Sequence, residues 1–196
     1  MSEKTDQKRA WIIENAHKVF AEKGYRAVTM KDIVEACNIS RGGLYLYFSS
    51  VEEVFFAVLD YEEKKADARV EQEELQDADN VEMLLWFLKL QKEELLQKKD
   101  SLLMAKYEYA FVCRKERKHS PAKKERKKAV LVLQNILERG MERGEFACFD
   151  ALREAENIMF AIDGMRLLAC TTGISEKKID TEFLYMMQRI VIEEDE

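Results

Sequence analysis

Apolar residues recur along this chain at the 3.6-residue period of a helix, with no stretch that keeps the two-residue period of a strand. The pattern predicts about nine helices and no sheet. Ile12, Ala16, Val19 and Phe20 share one face of a first helix from about Gln7 to Lys23, with Trp11 and Ile13 flanking and Gly24 as its left-handed stop. Ile33, Val34 and Ala36 give the buried side of a two-turn helix, Met30 to Ala36, capped by Thr29 with Asp32 in its first turn. Cys37-Asn38-Ile39 reads as a tight turn, with Asn38 left-handed and Ile39 packing inward, and Ser40 caps a third helix that ends near Phe48.

Ser50 and Glu53 make a capping box for a long fourth helix reaching about Gln76. Val54, Phe55, Val58, Leu59 and Tyr61 pack its first half, and its second half is charged and solvated. Residues 77–80 break it. The fifth helix, Val81 to Lys98, uses Leu84, Leu85, Leu88, Leu95 and Leu96. The sixth follows a cap at Asp100 or Ser101 and carries Leu103, Met104, Tyr107 and Phe111. Pro121 sits in the first turn of a seventh, which holds Val130, Leu133, Ile136, Leu137 and Met141, runs to Glu142 and stops at Gly144. The eighth spans Asp150 to about Thr172, Gly173 ends it, and the ninth spans about Ile179 to Ile192.

The fold class is therefore all-α: an N-terminal three-helix domain, residues 1–50, and a larger C-terminal helical bundle, residues 51–196. Helices as short as Met30–Ala36 and Ser40–Phe48 are marginal alone. Joined by a three-residue turn they make sense as a helix-turn-helix, whose second helix is offered to the DNA major groove.

Composition agrees with helix almost throughout: among 196 residues there is one proline and there are seven glycines. No apolar run approaches the ~20 residues of a membrane span, and MSEKTDQKRA is too polar for a secretory signal. Cys37, Cys113, Cys148 and Cys170 are far apart, with no CxxC pair and no histidine at zinc-ligand spacing. They read as reduced thiols of a cytoplasmic protein without metal or cofactor. The net charge of −6 divides unevenly, +2 over residues 1–50 and −8 over the remainder. A mildly basic end on an acidic body suits a protein that meets phosphate at one end only.

Within the third helix, SRGGLYLYF, Gly42 and Gly43 together disfavour helix by about 1–2 kcal/mol relative to alanine. Either the segment is a loop, or small residues let the helix start approach the DNA backbone and base edges closely. Leu44 and Phe48 anchor the buried side, and Arg41, Gly43, Tyr45 and Tyr47 face outward. Arg41 is the best base reader, because its fork suits guanine O6 and N7; Tyr45 has a second reading as a core aromatic.

With the first helix before it, Thr29 to Glu53 resembles the DNA-binding domain of TetR-type transcriptional repressors. The elements that carry the resemblance are Thr29, Ile33, Ala36, Ser40, Gly42, Leu44, Tyr45, Tyr47, Phe48, Ser50 and Glu52, about a quarter of the chain. A Gly140-to-Phe146 turn and an Asp163-Gly164 pair add a looser similarity. The resemblance implies a homodimer on two half-sites of a palindromic double-stranded operator, and a C-terminal domain whose small-molecule effector releases the DNA. It makes Thr29, Tyr45 and Tyr47 phosphate contacts, which position without reading sequence. Ser40, Gly42 and Gly43 complete the contact set. Three positions depart from the pattern: Asn38 where glycine is common, Gly43 where threonine or alanine is, and Val51 where a lysine usually opens the fourth helix. The last removes a phosphate contact, for which Lys31 and Arg41 compensate.

Three further features have two readings each. Arg114 to Lys128 is a dense basic run, either a solvated pair of helix ends or a second nucleic-acid contact. Trp86, Phe87, Met104, Tyr107, Phe111, Met159, Phe160 and Met165 are large and soft, suited to core or to an adaptable pocket for an apolar or cationic effector. Glu108 and Asp163 are the acids near them. Asp163, inside NIMFAIDGMRLLA, needs a partner, either Arg166 or a cationic ligand. Ile158, Ala161, Ile162, Met165 and Ala169 of the eighth helix, with Phe183, Met186, Met187 and Ile190 of the ninth, form apolar stripes expected to pair two copies. His17 and His119 lack ligand partners at useful spacing. No nucleophile–base pattern, metal constellation or phosphate-binding glycine loop supports an enzyme.

Overall fold

The computed structural model describes residues 3–72, 78–97, 101–113 and 121–192. Among these the chain forms α1 (Glu3–Lys23), α2 (Met30–Cys37), α3 (Arg41–Tyr45), α4 (Val51–Gln72), α5 (Asn80–Leu96), α6 (Leu103–Val112), α7 (Pro121–Glu142), α8 (Ala151–Cys170) and α9 (Glu176–Ile190). The β-pairing among them is one isolated antiparallel bridge, Phe146 with Val191. The expected ends of the fourth and fifth helices at Gln76 and Lys98, the break at Asp77, the cap at Asp100, His119 and residues 114–120 of the basic run lie outside the described residues.

Caps explain most boundaries. Asp79 and Glu82 form a reciprocal capping box, so α5 begins at Asn80. Ser175 accepts from the Lys178 N–H and starts α9 at Glu176, three residues before the apolar pattern does. The third helix is shorter than its sequence suggests. The Leu44 carbonyl accepts from both Tyr47 (2.9 Å) and Phe48 (3.1 Å), which tightens the last turn and closes the helix.

Packing divides the chain into two units: α1–α4 with α6, and α5 with α7–α9. The first unit buries Ile12, Ala16 and Phe20 against Ile33, Leu44 and Phe48 of the two short helices and Val54, Phe55 and Val58 of α4. Ala36, expected inside, is exposed, and Cys37 takes its place one turn after Ile33. Leu102, Ala105 and Tyr109 complete this core from the α6 segment. The Tyr109 ring meets Tyr25 edge-on at 5.0 Å and Phe55 at 5.5 Å.

The second unit is built on Leu84, Phe87 and Leu88 of α5, Val130, Leu133 and Leu137 of α7, and the inner faces of α8 and α9. Gly140 is required there: a Cβ at that position would lie 2.1 Å from Cδ2 of the Phe146 ring. This is the physical content of the Gly140-to-Phe146 turn.

The stripes expected to pair two copies lie largely within this core. Ile158, Ile162, Met165, Phe183, Met186 and Ile190 are all buried inside the unit, and Ala161, Ala169 and Met187 pack against the same cluster. Their apolar periodicity marks the side facing their own chain. A second set of apolar residues remains on the outer sides: Phe160 (63% exposed), Leu167 and Leu168 on α8, and Leu184 (58%) and Tyr185 (61%) on α9.

Candidate nucleic-acid interface

Local hydrogen bonding fixes α2 and α3 closely. The Thr29 hydroxyl accepts from the Asp32 N–H (3.3 Å) and donates to Asp32 Oδ2 (2.6 Å), while the Thr29 N–H donates to the same carboxylate (2.7 Å). Lys23 Nζ lies 2.6 Å from Asp32 Oδ1. Lys23 foremost, then the two Thr29 donors, hold the Asp32 carboxyl well below the usual carboxylate range. The chain leaves α2 through Asn38, at φ 49° and ψ 50°, as its side-chain type predicts. The Asn38 N–H donates to the Glu35 carbonyl at 3.1 Å and the Ile39 N–H to the Val34 carbonyl at 3.3 Å. Trp11 Nε1 donates to the Cys37 carbonyl at 3.4 Å, so α1 also holds this end of α2.

Ser40 Oγ then accepts from the Gly43 N–H at 3.0 Å and caps α3. Leu44 and Phe48 are buried, as their spacing predicts. Ser40, Arg41, Gly42, Tyr45 and Lys31 are exposed, and Gly43 and Tyr47 are half-buried. Tyr45 is 44% exposed, which removes its reading as a core aromatic. The Arg41 guanidinium lies over the Tyr45 ring, 5.5 Å from its centroid. Lys31 pairs with Glu35 at 3.6 Å on the α2 surface. A Cβ at Gly42 would meet nothing within 4 Å, and one at Gly43 would meet only Ser40 Oγ at 3.1 Å. Neither glycine has a left-handed backbone. The missing side chain at Gly42 is thus not demanded by the packing of the chain itself.

The entry to α4 follows a variant of the expected box. Ser50 Oγ accepts from the Glu53 N–H at 3.1 Å, but the Glu53 carboxylate reaches back to Ser49, accepting from its N–H (2.6 Å) and hydroxyl (2.8 Å). These bonds lower the Glu53 carboxyl below its ordinary range. The Arg9 guanidinium lies over the Phe48 ring, 5.1 Å from its centroid.

Two α6 side chains brace this region. Glu108 Oε2 accepts from the Arg26 N–H at 2.8 Å, beneath Gly24, whose φ is 73°. The backbone conformation requires glycine, and a Cβ there would lie 2.5 Å from that oxygen and displace the Glu108 carboxylate. The Tyr109 hydroxyl donates to Glu52 Oε1 at 2.8 Å, and burial, then this bond, push its phenol up. Glu108, expected among the effector contacts, braces this turn instead; Glu52 is one of the residues that carry the resemblance, and Tyr109 was overlooked. The spacing of Leu102, Ala105 and Tyr109 carried the signal. His17, without an expected partner, has its Nε2 3.4 Å from Glu62 Oε1.

The remaining effector candidates scatter. On α6, Met104 and Phe111 (70%) are exposed and Tyr107 is half-buried. In the second unit Phe87 and Met159 are core and Trp86 is half-buried. Asp163 is paired internally: Oδ2 accepts from Arg126 Nε at 2.9 Å and Oδ1 from Arg166 Nη1 at 3.3 Å. Arg166 also donates to Glu94 at 2.7 Å and Gln91 at 2.8 Å. Of the two partners proposed for this acid, the arginine is present, and a second arginine joins it. In the described part of the basic run, Lys123, Lys124, Lys127 and Lys128 lie on the exposed side of α7.

Residues 12–58 match the family described as bacterial regulatory proteins, tetR family, and residues 83–180 match the tetracyclin repressor-like C-terminal domain. The HTH-type transcriptional regulator YfiR of Bacillus subtilis is 34% identical over 149 residues, covering 74% of this chain and 70% of that protein. The chain belongs to the TetR family. It is a DNA-binding transcriptional regulator, and not an enzyme. The HTH-type negative transcriptional regulator IcaR of Staphylococcus epidermidis is 41% identical over 44 residues, 22% of this chain and 24% of its own length. A transcriptional regulator from Saccharomonospora viridis, solved in complex with choline, shares the TetR fold at a TM-score of 0.81 and 22% identity, with 96% of this chain and all of that one covered. Among the described residues no helix is long and apolar enough to cross a membrane.

Proposed function

We propose that this TetR-family regulator is a homodimeric, cytoplasmic repressor that holds a palindromic operator through α3 and is released by a small apolar or cationic effector. The observation that carries the DNA reading is the outer side of α3. Gly42 is bare although nothing in the chain requires it, and exposed Arg41 and Tyr45 stand beside it. A bare helix start admits the sugar-phosphate backbone, and a guanidinium beside it reaches base edges. Thr29, Lys31, Tyr45 and Tyr47 serve phosphates, Ser40 and Gly43 shape the approach, and Thr29 also holds the start of α2.

The functional division falls at residue 50. Residues 1–50 carry the DNA contacts, and residues 51–196 carry effector binding and dimerisation. The dimer uses the outer sides of α8 and α9, where Phe160, Leu167, Leu168, Leu184 and Tyr185 remain uncovered. Gly164, also exposed on α8 with open space at its Cβ, lets a second copy approach closely. A two-fold partner is what two symmetric half-sites require. For the effector, Met104, Tyr107 and Phe111 of α6 offer soft and aromatic groups. The choline bound by the Saccharomonospora regulator is a cation of the kind aromatic groups hold. Effector binding favours a conformation in which the two α3 helices no longer match successive grooves.

Arg41→Ala tests the assignment in a mobility-shift assay. The expected outcome is an operator affinity about 10- to 100-fold lower with a much smaller change on random duplex. Equal losses on both duplexes rule Arg41 out as the base reader.

A further inference from the structure

Leu46 is 82% exposed, the most exposed of the large apolar side chains in the first unit. It is not on a loose loop. Its backbone keeps right-handed helical angles, φ −68° and ψ −22°, and its N–H donates to the Gly42 carbonyl at 3.2 Å. Leu46 therefore rides on the last turn of α3, and its neighbours in space follow from helix geometry. Helical side chains lean back over the turn before them, so residue i covers residue i−4. On the outer side of α3 this makes two ridges. In one, the Tyr45 ring lies under Arg41. In the other, Leu46 follows Gly42 at i+4, and Gly42 has no side chain and open space at its Cβ position. An isobutyl group thus stands clear at the centre of a surface otherwise made of Arg41, Tyr45, Ser49 and the half-buried Tyr47.

A leucine has no donor and no acceptor, so it bonds neither phosphate oxygens nor the polar base edges. The major groove displays one apolar group, the C5 methyl of thymine. We infer that Leu46 is a specificity-determining residue, seated against a thymine methyl in each operator half-site. The inference rests on the DNA reading of α3 given above and extends it from the polar ridge to the apolar one. Arg41 reads a guanine, and Leu46, five residues further along the chain, reads a thymine.

The test uses the full chain and a duplex selected by it from a randomised pool. Each thymine is replaced in turn by deoxyuridine, which removes the methyl and leaves every hydrogen-bonding group in place. Binding of the unaltered protein and of Leu46→Ala is then compared. We expect one thymine per half-site whose replacement weakens the unaltered protein about fourfold, and about 15-fold when both half-sites are changed. Leu46→Ala is expected to be indifferent to the same replacement, so that the two changes are not additive. Equal sensitivity of both proteins overturns the assignment. So does an unaltered protein indifferent to every replacement while Leu46→Ala still binds more weakly, which identifies a sugar contact instead. If the pool yields no enriched duplex, the DNA reading of α3 fails, and this inference with it.

Discussion

The two units present opposite kinds of surface. On α3 the outward residues are Arg41, Gly42, Tyr45 and Leu46, a polar strip with a single apolar ridge. On α8 and α9 they are Phe160, Leu167, Leu168, Leu184 and Tyr185, a mostly apolar sheet of side chains. The difference follows from what each core takes from its helices. The α3 turn gives Leu44 and Phe48 to the interior and has little else to offer. Helix α8 gives Ala155, Ile158, Met159, Ile162 and Met165 and still carries a second apolar stripe. An apolar residue that its own core does not use is a statement about a partner, and the kind of partner follows from the area. A lone leucine suits a methyl group, whereas a full stripe suits another helix.

The strongest way to break this comparison is a paired substitution on α8. Ile162→Asp places an unpaired carboxylate in the sealed core, which costs several kcal/mol, and is expected to abolish the cooperative thermal transition followed by circular dichroism. Leu167→Asp, on the outer side, is expected to leave the helical signal intact and to halve the mass measured by sedimentation. Should Leu167→Asp unfold the chain, or leave the mass unchanged, the outer stripe is not the dimer surface.

A smaller effect separates the two glycines. Gly140→Ala drives a methyl into the Phe146 ring and should cost about 1–3 kcal/mol in urea unfolding. Gly42→Ala meets open space in a helix and should gain up to about 1 kcal/mol, while DNA affinity falls. A Gly42→Ala protein that binds DNA as well as before would show that the bare surface is not used.

The smallest effect is titration of the α2 cap. The Asp32 carboxyl is depressed in the folded chain. Its contribution is therefore complete above the unfolded value, near about 4, and is lost as pH falls below that. The difference in urea midpoint between the unaltered protein and Asp32→Asn should be full at neutral pH and shrink below about pH 4. A difference that stays constant into acid would mean the carboxylate charge does not matter there.

Legibility in the sequence followed the same division. The first unit is specified locally: Thr29 with Asp32, Asn38, Ser40 and Ser50 each set a boundary within three or four residues, as their side chains predict, although the Glu53 carboxylate closes on Ser49 rather than Ser50. The local misses there were small, Ala36 for Cys37 and the early end of α3; the larger one came from a distance, as in the 82-residue separation of Arg26 and Glu108. In the second unit the helices were legible, but the sides of α8 and α9 were not. A helix apolar on two faces has no single stripe to read, and Phe160, Gly164, Leu167 and Leu168 at spacings of four, three and one were the overlooked second set. Asp163 was legible as an acid in need of a partner. Its second arginine, Arg126, lies 37 residues away on another helix.

The α6 segment closes the core of the first unit, yet it arrives about thirty residues after α4 in the order of synthesis. A nascent chain that has emerged only as far as residue 73 therefore lacks the Tyr109 ring, the lid over Phe55 and Tyr25. In the order of synthesis, the set of residues that makes up the first unit's core is complete only when Tyr109 has been added.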